Sequence, residues 1–101
     1  MFIYNLTLQI EEGEIRALKK WVTTDLINRV ESKSGLRHKN SFELMFDPNP
    51  GVTMALQFST ESENEINSFR ENLKSLVEKM VHNKFGGRVV CFGTFLKSVK
   101  N

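Results

Sequence analysis

At 101 residues the chain has material for one hydrophobic core and too little for two, so a single domain over 1–101 is expected. Apolar residues make up 40% and charged residues 26%, with eight Phe, one Tyr and one Trp, which excludes a largely disordered chain. Fourteen Lys and Arg against twelve Asp and Glu leave a net charge of +2, far from the dense positive field of a non-specific nucleic-acid binder, and no apolar run reaches transmembrane length.

Phe2 to Ile10 alternates strictly, with Phe2, Tyr4, Leu6, Leu8 and Ile10 on one face and Ile3, Asn5, Thr7 and Gln9 on the other, the signature of a half-buried strand. The segment lacks a basic start and runs into Glu11 and Glu12, unlike a secretory signal. After Gly13 the period changes: Ile15, Leu18, Val22, Leu26 and Val30 gather on one side of a helix, with Trp21 and Ile27 at the edges of the stripe. That helix is expected to stop between Ser32 and Gly35, with Gly35 as its cap.

Phe42, Leu44 and Phe46 alternate with Ser41, Glu43 and Met45, and Val52, Met54, Leu56 and Phe58 resume the pattern beyond Asp47-Pro48-Asn49-Pro50-Gly51. The spacing predicts a hairpin. Two overlapping capping boxes, Thr60 with Glu63 and Ser62 with Glu65, precede a helical stripe of Ile66, Phe69, Leu73, Leu76, Val77, Met80 and Val81. Gly86-Gly87 ends it, and Arg88 to Val99 forms a last strand apolar on both faces, which expects cover on both sides.

The order β, α, β, β, α, β is the α+β, ferredoxin-like pattern, an antiparallel four-stranded sheet with two helices on one face and the first and third strands central. With the even-numbered residues of the first three strands turned to the helices, the other face presents Ile3, Asn5, Thr7 and Gln9 beside Thr53, Ala55 and Gln57, with Met45 near. Such a mixed face suits sheet-to-sheet pairing with a second copy, so a homodimer enclosing a cavity is expected.

The opening Phe2-Ile3-Tyr4-Asn5-Leu6-Thr7, the mid-helix Trp21 and the closing Lys84-Phe85-Gly86-Gly87-Arg88, continuing to Leu96, together resemble a family of small bacterial proteins of unknown function. Its members begin with a Tyr-Asn-Val-Thr strand, and the resemblance implies a ferredoxin-like, dimeric α+β barrel. Members often carry His-Ile-Pro where this chain reads Leu26-Ile27-Asn28, and Arg where Gly93 stands, so this chain lacks those acid-base and anion-binding groups.

Asn5, Thr7 and Gln57 are the candidate ligand-orienting groups of the enclosed cavity, Trp21 a candidate wall, and Arg88 after Gly86-Gly87 a candidate anion grip. Cys91 is the only cysteine, which rules out an intrachain disulfide, and neither His38, in a basic loop, nor His82, at a helix end, is placed to activate it. No metal site or cofactor motif is present, and the third strand lacks the basic and aromatic run of an RNA-recognition domain. The expectation is a cytoplasmic, homodimeric ligand-binding or accessory protein with no nucleic-acid or membrane partner. The alternatives are a cofactor-free enzyme of monooxygenase or isomerase type, or a metabolite-sensing regulatory domain. The strand facing has a direct check: Leu6→Asp forces an unpaired charge against both helices and should abolish cooperative folding by circular dichroism.

Overall fold

Alternation along β1 (Phe2–Ile10) closes one of its faces from Tyr4 onward: Tyr4, Leu6 and Leu8 have no exposed surface and Ile10 almost none, while Phe2 at the strand end is half-buried. In the computed structural model, which describes residues 1–99, β1 lies between β3 (Val52–Thr60) and β4 (Val89–Lys97), and β2 (Arg37–Glu43) flanks β3. The sheet order β2-β3-β1-β4 is antiparallel throughout, with the helices on one side, as expected for the ferredoxin-like arrangement. Directly opposed residues share a face, so the register Leu6↔Leu56 and Leu6↔Gly93 assigns Met54, Leu56 and Phe58 and the odd-numbered residues of β4 to the helix side.

The first helical segment runs continuously over 15–33, as α1 (Ile15–Trp21), a π-helical stretch (Val22–Leu26) and α2 (Ile27–Lys33). Its buried residues Leu18, Val22, Leu26 and Val30 recur every four positions, and on a regular α-helix each step would drift about 40° around the axis. The wider π turn removes part of that drift and keeps the row on the sheet. The helix ends without the expected Gly35 cap. Ser34 is extended, its hydroxyl donates to the Val30 carbonyl and accepts from the Leu36 amide, and Gly35 instead leaves room for the Glu65 carboxylate.

The second helical stretch is two helices, α3 (Glu63–Asn72) and α4 (Lys74–Phe85), interrupted at Leu73. Of the two capping boxes, Ser62 is the N-cap, accepting from the Glu65 amide, while Thr60 donates to the Glu65 carboxylate and accepts from the Ser62 amide. The stripe divides: Ile66, Phe69, Val77 and Val81 are buried, joined by Phe85 beyond its expected end, whereas Leu76, expected in the core, remains 47% exposed.

The hairpin corrects the expected strand facing. β2 begins at Arg37 and ends at Glu43, and a bulge between His38 and Asn40 inverts its parity. His38, expected in a loop, lies in this strand with its ring against Phe58. Beyond the bulge Phe42 opposes Ala55 and so joins the open face, while Glu43 opposes Met54 and pairs with Lys19. Leu44, Met45 and Phe46 lie outside the strand and are exposed. Asp47 organises the turn that follows, accepting from the Asn49 amide and the Thr53 hydroxyl. These bonds, the Thr53 hydroxyl first, hold its carboxyl below its ordinary range, so the turn is set at neutral pH and loosens only as pH falls through that lowered value.

Tyr4 stacks in the core among Phe58, Phe69 and Phe95 and lies over Gly93 on the edge strand β4, where a Cβ would come within 2.5 Å of its ring. Its hydroxyl is the one buried side-chain polar atom without a hydrogen-bond partner among the described residues. Burial, with Glu78 and then Cys91 adding to it, pushes the phenol above its ordinary pKa, so it stays protonated. Tyr4→Phe should therefore keep or raise stability, by up to about 1–3 kcal/mol, since it removes an unsatisfied group. Gly93→Ala should lower stability by roughly 1–3 kcal/mol through overpacking, both read by urea unfolding.

Candidate functional site

Three of the five candidate residues come together. On the open sheet face Asn5 opposes Gln57 and Thr94, and Thr7 opposes Ala55 and Phe92. The Gln57 amide donates to Asn5 Oδ1 at 3.2 Å, and the Asn5 amide donates to the Thr7 hydroxyl at 3.3 Å. This ladder occupies the two central strands, and its members are half-buried even with one face open.

Apolar side chains border the ladder on both sides. Val90, Phe92 and Leu96 project from β4, and Phe42 from β2; Phe92 and Phe42, at opposite ends of one cross-strand row, are 51% and 52% exposed. Arg37 is the one charged residue among the paired positions of this face. Phe42 was not legible as a member because the bulge reverses its side, and its only signal is the polar run Lys39-Asn40-Ser41 that interrupts the alternation. The face chosen by the doubly apolar last strand is now defined: Val89, Cys91 and Phe95 meet the helices.

The other two candidates lie elsewhere. Trp21 is packed in the core on the helix side with its ring edge-on to Phe85 at 5.5 Å, so it forms no wall of the open face. Arg88 sits in the short turn Gly86–Arg88, where its Nε donates to the Phe85 carbonyl and its Nη1 pairs with Glu14 at 3.0 Å. Its charge is compensated within the chain, and it ties the start of β4 to the turn that opens α1.

Cys91 faces the helices beside α4. Burial first, then the Glu78 carboxylate, raises its thiol pKa, and the Lys74 ammonium opposes them only in part. The neutral thiol is thus favoured, the reverse of what a nucleophile needs. His38 is occupied with the Ser41 hydroxyl at 2.8 Å, and His82 is exposed. Among the described residues no group of three metal-ligating side chains converges, and no helix is long and apolar enough to cross a membrane. Iodoacetamide should modify Cys91 at pH 8 at least about tenfold more slowly than a free thiol. The stability given by the neutral thiol should decline as pH rises above the ordinary cysteine value of about 8.5.

The fold has a crystallographic counterpart. The chain is similar to protein Atu4242 from Agrobacterium tumefaciens, with a TM-score of 0.67 and 19% sequence identity over 99% of this chain and 95% of that one. At that identity the likeness speaks for the fold alone. No curated protein matches the sequence. Over residues 1–99 the sequence carries the pattern of one family throughout, and the chain belongs to it: the family described as Domain of unknown function (DUF4286).

Proposed function

We propose that the protein works as a homodimer whose two open sheet faces pack together, and that it is a binding or accessory protein rather than an enzyme. The observation that carries this reading is the make-up of the open face: apolar side chains at both edges, an amide and hydroxyl ladder in the middle, and Arg37 as the one charge among its paired positions. Strands about 4.8 Å apart and 3.3 Å long per residue give that face about 500 Å² per protomer, so two copies cover about 1,000 Å², the threshold of a specific interface. A two-fold pairing is self-complementary for such a face, since apolar rims can meet while the amides face one another.

Between the sheets, Asn5, Gln57 and Thr7 would line the enclosed space and orient a small ligand through donors and acceptors that exchange their present partners. Amides and a hydroxyl bind and orient, but at neutral pH they neither take up nor release a proton, which favours binding over catalysis.

Native mass spectrometry and sedimentation velocity should give a dimer at micromolar concentration. Phe92→Arg and Phe42→Arg, at half-exposed positions the fold tolerates, should each weaken association roughly hundredfold, about 2.7 kcal/mol, while circular dichroism stays unchanged. A wild-type protein that remains monomeric at high concentration would overturn the reading.

A further inference from the structure

A second concave site lies in the other layer, on the helices. α2 and α4 do not approach closely at the backbone, and the interruption at Leu73 separates α3 from α4, leaving a groove of about 240 Å³. Its floor is the roof of the core, formed by the buried Val30, Phe69 and Val77. Leu73, Leu76 and Met80 make its apolar walls, which accounts for Leu76 standing half-exposed although it belongs to the helical stripe.

The rim is cationic from both sides. Arg29 and Lys33 stand one helical turn apart on α2, Lys79 stands on α4, and the Asn83 amide adds a directional hydrogen-bonding group. None of the three cations has an ion-pair partner among the described residues, a state they share with other exposed cations such as Lys20 and Lys84, so it is their grouping around one groove that marks them. No carboxylate lines the groove. The nearby acids belong elsewhere: Glu78 is held by Lys74, and Glu65 lies in the adjoining polar depression and accepts from Thr60. Asp25 precedes Arg29 by one turn but does not line the groove.

We propose that this groove binds a small, single-headed anion with an aliphatic tail, of the medium-chain carboxylate class. The apolar floor takes the tail, and the three cations with Asn83 take the head. A neutral amphiphile leaves the cations unanswered. The volume falls below the range of about 300–1,000 Å³ usual for drug-sized ligands, which suits one short chain and excludes a two-tailed lipid. The site is independent of the proposed dimer, because the sheet contributes nothing to its lining.

The test is an NMR titration of the isotope-labelled full chain with octanoate, octanol and butyrate. Octanoate should shift the amide signals of Val30, Phe69, Val77 and Met80 and bind at least about tenfold more tightly than octanol or butyrate. The double variant Lys33→Glu with Lys79→Glu should lose octanoate affinity at least about tenfold and leave octanol binding unchanged. Leu76→Gln should weaken octanoate with the head contacts intact, and circular dichroism should show both variants folded. Equal binding of octanol and octanoate, shifts confined to the open sheet face, or no octanoate binding would each overturn the proposal. So would failure to bind octanoate together with capture by anionic lipid vesicles or by an acidic amphipathic peptide, since the groove would then serve a surface or a helix instead.

Discussion

The side-chain parity of β1 governs the molecule. As a central strand it is hydrogen-bonded on both edges, and the full burial of Tyr4, Leu6 and Leu8 commits its even positions to the helices. Once that side is committed, pairing fixes the facing of both neighbours, because opposed residues on adjacent strands point the same way. Asn5 and Thr7 are on the open face for the same reason that Leu6 is in the core. The core and the candidate site are therefore two readings of a single alternation, and a one-residue slip would exchange them.

That link explains what could be read from the sequence. β1 and β3 alternate cleanly, so their facing and the grouping of Asn5, Thr7 and Gln57 follow from period two, while the central placing of both strands follows from the order of the elements; β3 runs on to Thr60, two residues past the last apolar position of its alternation. β2 defeats the same reasoning because a bulge is a local backbone event whose only trace in the sequence is the polar run Lys39-Asn40-Ser41. One extra residue near Lys39 turns Phe42 outward, although its alternation with Leu44 and Phe46 suggests the core side. Periodicity likewise identifies a helical face but does not say how wide the covering layer is. Leu76 belongs to the stripe of α4 and is left half-exposed because α2 does not reach over it.

Trp21 and Arg88 show a different limit. Sequence position offers Trp21, at the edge of a helical stripe, as a pocket wall and Arg88, after Gly86-Gly87, as an anion grip, yet each has a structural task that only tertiary contacts disclose. Trp21 meets Phe85 and so joins the end of α1 to the end of α4, and Arg88 answers Glu14 from 74 residues away in the chain. Arg29, Lys33 and Lys79 are the converse. They look like ordinary solvated helix residues in sequence and become notable only because they border an apolar depression without a carboxylate.

β4 carries a consequence for the chain before it folds. Val89 to Leu96 is an uninterrupted stretch with no charge and no proline, rich in β-branched and aromatic residues, and in the folded protein it is an edge strand. Unpaired, such a segment is a template for cross-β stacking between chains. Among the four strands it is the last in sequence and its partner β1 the first, so β1 waits with one edge open until β4 has been made. Arg88 and Lys97 stand at the two ends of the stretch, where their like charges oppose the approach of a second copy in register. The same two cations that frame a strand in the native sheet thus have the placement of gatekeeper charges in the unfolded chain.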